Sequence, residues 1–334
     1  MQGLPFVLIF TALTFLSWGA YGPLLRYGTT AMHHDGLKAF VGVGLAYFVI
    51  AVIFPFLALS RKGEKGNWSF VGTTYSILAG GVGAIGALGI IFALVFKGNP
   101  VYVMPLVFGF APIVNTLVTA WLGKSIQNIR PIFVAGIVMA ALGAGGVLFF
   151  KPQAPASDAA PNFAMVGLSI AIAALCWGSY GPMLHQGQMR MGGSRLRPFA
   201  CVGIAYFIIA VAVPLMLLVA MPSISRGSWT AGGLTWSVIA GAAGALGALG
   251  IILAFNAGGK PIYVMPLVFG FAPVINTFIS LTEAQAWSRV QPMFWVSLAV
   301  VIVGAITVLT KAPKPQHGAA HAPQSNPRTP LGQN

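Results

Sequence analysis

Two matched pairs of aromatic residues are the side chains of this sequence whose spacing best fits a binding role. Trp18 and Tyr21 lie one helical turn apart, and Trp177 and Tyr180 repeat that spacing. Such rings stack on ring-shaped solutes, and the tyrosine hydroxyl adds a hydrogen bond. The alternative is an aromatic belt at the membrane surface, where Trp and Tyr are enriched. Both pairs lie inside apolar runs and are followed by Gly-Pro, so the two interpretations stay open.

Prolines free backbone acceptors in two further apolar segments. Pro112 removes a backbone hydrogen bond and frees the carbonyl four residues earlier, at Phe108. Pro273 does the same for Phe269. Freed carbonyls inside a bilayer must be satisfied by protein or must line a polar cavity. We therefore place both phenylalanines among the candidate solute contacts.

An asparagine follows each of these kinked segments within about one turn. Asn115 and Asn276 occupy matched positions deep in their apolar runs. A buried amide is costly unless it is paired, so each bonds either a neighbouring helix or a solute. Tyr47 and Tyr206, matched in two other runs, are the remaining candidate contacts.

Proton chemistry has one candidate, His185. It stands where the first copy has Arg26, near the end of an apolar run. A histidine there is able to accept a proton during a transport cycle, although most such residues simply sit at the interface. No Asp or Glu lies deep in any apolar run. This argues against a carboxylate-driven antiporter, whose relay is normally a buried acid.

Catalytic and cofactor motifs fail on their context. The glycines of 80–86 match a dinucleotide fingerprint formally, but the βαβ unit and the later acidic residue are missing. Glycines recur every third residue there and again in 241–250, which favours close helix packing in lipid. The sequence offers no nucleophile–base pair, paired carboxylates or metal-ligand cluster. We therefore expect no enzymatic activity, no cofactor and no metal.

Composition defines the elements that must position these residues. Of 334 residues, 57% are hydrophobic and only 7% are charged, against about 25% charged residues in soluble proteins. The chain is therefore expected to be an all-α integral membrane protein. Its 18 Lys and Arg against 4 Asp and Glu give a formal net charge of +14. Most basic residues lie between apolar runs, which is typical of membrane orientation and excludes nucleic acid as the partner.

Ten apolar runs are long enough to cross a hydrocarbon core of about 30 Å. We predict spans at 4–26, 37–59, 71–96, 100–122, 131–150, 163–185, 198–221, 231–256, 261–282 and 292–311. A Pro/Ala linker at 151–161 separates a first five-helix repeat (1–150) from a second (162–311). The tail 312–334 is rich in Pro, Gln and His and is expected to be disordered and cytoplasmic.

The two halves are copies of each other. The segment 16–28 returns at 175–187, and 100–116 returns at 261–277 with fourteen of seventeen residues identical. Five spans per copy force the copies to face opposite ways, which predicts an inverted repeat. With both termini in the cytoplasm, the inner loops and tail hold twelve basic residues and the outer loops six. The sequence thus predicts a multi-pass protein of the inner or plasma membrane.

This duplication resembles the drug/metabolite transporter superfamily in its ten-helix, EamA-like form. The resemblance spans about residues 4–311. Its carriers are the first spans of both copies (Trp18, Gly19, Tyr21, Gly22, Trp177, Gly178, Tyr180, Gly181), the glycine-rich third spans, Glu283, Gly143 and Gly304. The family commonly has a Glu after the fourth span, where this chain has Leu122-Gly123-Lys124. The Tyr-Gly-Pro turn is similar to that of the sugar and rhamnose porter branch.

The resemblance implies a secondary carrier for small organic solutes. We expect a neutral, polar, sugar-like metabolite to bind in a midplane cavity, with one repeat rocking against the other. Spans one, three, four, six, eight and nine should line that cavity, and spans five and ten should pack outside it. A membrane scaffold or receptor that does not transport stays open as an alternative, and an intramembrane enzyme is a weaker one. Besides the solute and the bilayer, a second copy in a homodimer is an open partner.

Overall fold

Helices account for all the regular structure in the described part of this computed structural model, which covers residues 3–62, 64–122, 130–152, 160–225, 227–258 and 261–311. The predicted linker 151–161 lies mostly outside these ranges, and the predicted tail 312–334 lies wholly outside them. The α-helices are α1 (Leu4–Ala31), α2 (Gly36–Tyr47), α3 (Phe54–Lys62), α4 (Phe70–Val95), α5 (Pro100–Leu122), α6 (Pro131–Phe149), α7 (Phe163–Arg190), α8 (Leu196–Phe207), α9 (Val213–Ala220), α10 (Ala231–Asn256), α11 (Pro261–Glu283) and α12 (Pro292–Thr310).

Two of the predicted spans are interrupted α-helices. A π-helical segment, Phe48–Ile53, joins α2 to α3, and another, Ile208–Ala212, joins α8 to α9. Pro55 and Pro214 are the second residues after the ends of these segments. Each proline removes the N–H that would continue the α-helical ladder, and a wider turn accommodates the loss. Both copies bend their second span in this way.

The helices have the length and composition of membrane spans. Seven helical stretches are apolar over 18 residues or more, including Gly36–Arg61 and Leu196–Ala220 across the π segments. Shorter apolar helical stretches lie at Pro131–Val147, Leu267–Glu283 and Pro292–Val308. Many large apolar side chains also face outward, among them Phe70, Leu142 and Val219. The chain is therefore an all-α, multi-pass membrane protein.

Each copy packs mainly on the other copy. Helices α1 and α2 pack on α10, and α1 also packs on α11; likewise α7 and α8 pack on α4, and α7 also packs on α5. We call α1, α2, α10 and α11 the first bundle, and α4, α5, α7 and α8 the second bundle. The two bundles meet where α2 crosses α8 and its π segment and where α5 packs on α11, while α6 and α12 pack on each other outside them.

Equivalent helices of the two copies run antiparallel where they meet. Gly136 of α6 contacts Thr307 of α12, whereas Gly143, further along α6, contacts the earlier residue Val301. The second spans cross in the same sense: Gly44 contacts Val211, and Gly203 contacts Ala51. In these pairs the glycine admits the other helix so closely that a Cβ atom would collide with it.

A buried ionic cluster fastens the first bundle at one end, and we call it the Asp35 cluster (Asp35, Lys38, Ser225, Gly227). Lys38 Nζ lies 2.9 Å from Asp35 Oδ2 and donates to the Gly227 carbonyl at 2.9 Å. Ser225 bonds both charged groups, and Lys38 N donates to Asp35 Oδ1, which caps α2. Burial alone would raise the pKa of Asp35, but hydrogen bonds from Ser225 and Lys38 outweigh it and hold that pKa below its ordinary value.

An equivalent group fastens the second bundle at the opposite end, and we call it the Glu64 cluster (Glu64, Ser194, Arg195, Arg197). The Glu64 carboxylate accepts from the backbone N–H groups of Arg195 and Leu196 and from the Ser194 hydroxyl. Arg195 Nε lies 3.2 Å from Glu64 Oε1. The acid and the serine have exchanged places between the copies, because Ser194 stands where the first copy has Asp35.

Candidate functional site

A cavity of about 380 Å³ lies between the two bundles. Its size falls within the range of small-molecule sites. Nine of the ten predicted solute contacts line it, together with His185: Trp18, Tyr21, Tyr47, Phe108, Asn115, Trp177, Tyr180, Tyr206 and Phe269. The lining as a whole comes from eight helices, four from each copy. That they bind a solute stays a prediction.

Tyr47 and Tyr206 meet at the centre of the molecule, where the second spans cross. Their rings stack with centroids 3.6 Å apart and an angle of 2° between the planes. Each tyrosine lies just before or at the end of an α-helix that continues into a π segment, so the bend aims the ring at its equivalent. The pair therefore joins the two second spans through its stacked rings.

The glycine stripes of α4 and α10 hold the two tryptophans. Trp18 Nε1 donates to the Gly244 carbonyl at 3.1 Å, and Trp177 Nε1 donates to the Gly83 carbonyl at 3.2 Å. A Cβ on Gly247 would collide with the Trp18 indole. Both indoles therefore lie in the cavity wall, in the middle of their helices, with their N–H groups already paired. Their ring faces and edges, rather than their N–H groups, are what they offer a solute.

Tyr21 and Tyr180 differ from the central pair in their hydroxyl groups. Both hydroxyls are buried, and neither has a hydrogen-bond partner within the described residues. The Tyr21 ring packs edge-on against Trp177, with centroids 5.9 Å apart and planes at 64°. Phe108 lies 6.1 Å from the same indole and 6.2 Å from Phe269. The wall is thus aromatic, with polar atoms at few points.

The cavity reaches one end of the molecule, which we call the open end. There the C-terminal halves of α5 and α7 supply Asn115, Thr119, Leu122, His185, Gln186 and Gln188. Thr119 and His185 are exposed at its rim. The Glu64 cluster lies at this end.

The equivalent residues of the other copy form the closed end. Asn276 and Ser280, the counterparts of Asn115 and Thr119, are 0% and 1% exposed and do not line the cavity. Asn276 Nδ2 donates to the Pro100 carbonyl at 2.7 Å, which joins α11 to the start of α5. The Tyr27 hydroxyl interacts electrostatically with the Glu283 carboxylate, which links α1 to the end of α11.

Asn276 is therefore the one predicted contact that the structure keeps away from the cavity. Its amide bonds a neighbouring helix, which is the other outcome that the sequence left open. Phe108 and Phe269 line the cavity with their rings, whereas the sequence argument rested on their carbonyls. The two asparagines differ because the end of α11 is packed against its neighbours, whereas the end of α5 borders the cavity.

Several lining residues were missed from the sequence. Thr119 lies one turn beyond Asn115, and Gln186 and Gln188 follow His185, so helical spacing from the chosen residues would have found them. The predicted lining spans all contribute, through α1, α4, α5, α7, α10 and α11. Tyr47 and Tyr206 add the second and seventh spans, and the described parts of α6 and α12 contribute none.

The lining is electrically neutral apart from one imidazole. Among the described residues it includes no Lys, Arg, Asp or Glu, and His185 is its one titratable group besides the tyrosines. Within the described ranges no three His, Cys, Asp or Glu side chains lie together as metal ligands would. Such a wall can stack on rings and exchange hydrogen bonds, but it cannot neutralise a strong ionic charge.

Comparison with known proteins gives information on the fold alone. No family model and no curated protein matches the chain. A solved structure described only as "Crystal structure of protein" is similar, with a TM-score of 0.57 and 18% sequence identity. The match covers 92% of this chain and 98% of that chain. The arrangement of helices therefore occurs in a solved protein of almost the same extent.

Proposed function

We propose that this protein is a secondary carrier that moves a small, neutral, polar and sugar-like metabolite across the membrane by alternating access. In this proposal ten spans form two inverted five-helix repeats around a midplane cavity. The resemblance to the drug/metabolite transporter superfamily agrees with such a carrier, and it is part of the proposal.

The inverted arrangement is supported by helix direction. The two copies have the same five-span pattern, and an odd number of crossings reverses the second copy relative to the first. The antiparallel contacts of α6 with α12, and of α2 with α8, are what that reversal requires. The first span of each copy packs on the third span of the other, as α1 does on α10 and α7 does on α4. A two-fold axis in the membrane plane that relates the copies would produce this pairing.

The observation that carries the proposal is the difference between the two ends of the cavity. Thr119 and Ser280 occupy equivalent positions, yet the first is exposed at the rim and the second is 1% exposed. If the two copies exchanged conformations, the open end would close and the closed end would open. Inverted repeats make these two states close in energy, which is the basis of alternating access.

In this proposal the moving bodies are the two bundles, rather than the two repeats that the sequence led us to expect. Each bundle contains helices of both copies, and its ionic cluster joins those copies within the bundle. Separating the repeats would break both clusters and the contacts of α1 with α10 and of α4 with α7. Rocking the bundles keeps all of these and changes the contacts between the bundles, where α2 crosses α8 around Tyr47 and Tyr206 and where α5 packs on α11.

Charge supports an orientation for the open end. Arg61, Lys65, Arg190, Arg195 and Arg197 lie around it. By the positive-inside tendency this end faces the cytoplasm, which agrees with both termini being cytoplasmic. The closed end then faces outward, and the cavity is open to the cytoplasm.

Cysteine labelling tests alternating access directly. Cys176 and Cys201 are replaced, and Thr119→Cys and Ser280→Cys are made singly in the cysteine-free protein. In liposomes that take up a panel of neutral sugars and nucleosides, a membrane-impermeant maleimide should label position 119 and spare position 280. A transported solute should lower labelling at 119 and raise it at 280.

Thr282→Cys on α11 is the matched control, because Thr282 is exposed and bonds only the Phe278 carbonyl of its own helix. Its labelling should not respond to solute. Uptake equal to that of empty liposomes across the whole panel, with folded protein, contradicts the carrier. Uptake without opposite changes at 119 and 280 contradicts alternating access between these two ends.

A further inference from the structure

Four tyrosine side chains face one another across the cavity as two equivalent pairs. The Tyr47 and Tyr206 rings stack on each other with centroids 3.6 Å apart. Tyr21 and Tyr180 line the same cavity on either side of them. The Tyr21 and Tyr180 hydroxyls are buried and have no hydrogen-bond partner within the described residues. The fold thus leaves one equivalent pair of hydroxyls at the cavity with their hydrogen bonds unmade.

A buried hydroxyl without a partner costs free energy, because it has given up its bonds to water. Native structures normally satisfy such groups. Both tyrosines line the cavity, both occupy equivalent positions in the repeat, and both begin the Tyr-Gly-Pro motif of a first span. The shared arrangement indicates that a molecule in the cavity completes them.

We infer that the Tyr21 and Tyr180 hydroxyls are the paired recognition contacts of the solute, a neutral ring compound with hydrogen-bonding groups on two opposite edges. This inference rests on the proposed function and specifies the solute that the cavity takes. The ring would lie against the aromatic wall formed by Trp18, Trp177 and Phe108. The neutral lining excludes a solute that must be held by a fixed opposite charge.

The two contacts come from different bundles. Tyr21 is on α1 in the first bundle, and Tyr180 is on α7 in the second. A solute bonded to both hydroxyls therefore bridges the two bodies that the carrier rocks. The Tyr21 ring also packs on Trp177 of the second bundle, so the same tyrosine contacts the seam. Solute recognition and bundle position are thus coupled at a single pair of residues.

Binding measurements on purified full-length protein test the pair. The variants are Tyr21→Phe, Tyr180→Phe and the double change, and the probes are glucose and uridine with matched analogues that lack hydrogen-bonding groups on one edge. For the probe that the parent binds, each single change should weaken affinity roughly five- to tenfold, and the double change should weaken it further. The analogue that lacks one edge should bind the parent more weakly than the full probe does. In the single variant that lacks the tyrosine facing that edge, the analogue and the full probe should bind with similar affinity.

Tyr102→Phe is the matched control, because the Tyr102 hydroxyl is likewise buried without a partner within the described residues but Tyr102 does not line the cavity. It should bind the probe as the parent does. The melting temperature without solute should be unchanged or higher in Tyr21→Phe and Tyr180→Phe, because each change removes a buried hydroxyl that has no hydrogen-bond partner within the described residues. This separates loss of recognition from loss of fold.

Three outcomes overturn different statements. If the parent binds a probe and both phenylalanine variants bind it equally well, the pair is not the recognition contact and the carrier proposal stands. If only charged members of a wider panel bind, the neutral class is wrong. If no solute binds and none is transported by folded parent protein, the proposed function fails with the inference. Binding of glucose or of uridine identifies which ring chemistry the site takes.

Discussion

The two ends of the cavity are built from equivalent residues, yet one is open and the other is closed. At the open end Asn115 and Thr119 line the cavity, and α5 ends in the apolar Leu122. At the closed end Asn276 donates to the Pro100 carbonyl, and α11 ends in Glu283, whose carboxylate interacts electrostatically with the Tyr27 hydroxyl. The almost identical helices α5 and α11 therefore have different roles: the end of α5 lines the cavity, and the end of α11 bonds neighbouring helices and closes it. The closed end has polar links that the open end lacks at the same positions.

The ionic clusters at these two ends differ in the same direction. Lys38 and Asp35 have side chains only 9% and 3% exposed, whereas Arg195 of the Glu64 cluster is 39% exposed. The cluster at the closed end is thus the more buried of the two. Because each cluster lies within one bundle, this difference should appear in the stability of the protein rather than in the cost of opening an end. For the proposed carrier, that cost comes from bonds between the bundles such as Asn276–Pro100, and solute binding is the available source of free energy to offset it.

Removing the acid from each cluster should give the largest effects. Asp35→Ala leaves the Lys38 ammonium buried without its carboxylate and should cost about 3 kcal/mol or more of stability. Glu64→Ala removes a helix cap and more exposed ion pairs, so we expect about 1–2 kcal/mol. Unfolding of the two variants in detergent measures the difference. Lys65→Ala, an exposed neighbour, is the control, and equal losses at the two ends would contradict the comparison.

The paired asparagines should separate stability from binding. Asn276→Leu breaks the bond to the Pro100 carbonyl and should destabilise the protein by about 1–3 kcal/mol. Asn115→Leu, on the cavity wall, should leave stability nearly unchanged but weaken solute binding. Unfolding curves and binding isotherms of both variants are compared with those of the parent. A similar profile for the two variants would show that the ends are equivalent in energy.

Replacing Glu283 with leucine makes the closed end resemble the open end. Glu283→Leu loses the electrostatic interaction with the Tyr27 hydroxyl, and because Tyr27 is 43% exposed the expected loss is about 1 kcal/mol, roughly a fivefold change in populations. Labelling of Ser280→Cys should rise accordingly. Thr282→Ala, the adjacent residue with a bond only within its own helix, should leave it unchanged. Constant labelling in Glu283→Leu means that the Tyr27–Glu283 link does not hold this end shut.

The sequence predicted the lining well because the signal is local. Apolar run length and the repeated motifs place Trp18, Tyr21, Trp177 and Tyr180 on one helical face in each copy, and the fold puts those faces on one cavity. The sequence could not separate Asn115 from Asn276, because seventeen residues around each are nearly identical. What separates them is a contact with a distant helix, the bond from Asn276 to the Pro100 carbonyl, which no local pattern predicts.

The contacts between copies were also beyond a sequence prediction. Asp35 and Ser225 are 190 residues apart, and in the second cluster the acid and the serine have exchanged positions, so neither site has a repeated motif. The exchange of helices between bundles is likewise a long-range property. The pairing of helices depends on glycines that pack closely on distant residues, such as Gly28 on Ser237 and Gly187 on Ser76. No local sequence pattern identifies these partners.

The smallest expected effect is a pH dependence confined to the closed end. Because the pKa of Asp35 is lowered in the folded protein, its carboxylate stabilises the fold above its unfolded pKa of about 3.9, and this contribution is lost as pH falls through the folded pKa. Asp35→Asn should therefore be less stable than the parent at pH 6, and the gap should narrow in more acidic buffer. Melting temperatures of both proteins from pH 6 to pH 3 measure it. A gap that stays constant down to pH 3 would mean that Asp35 acts through its capping geometry rather than its charge.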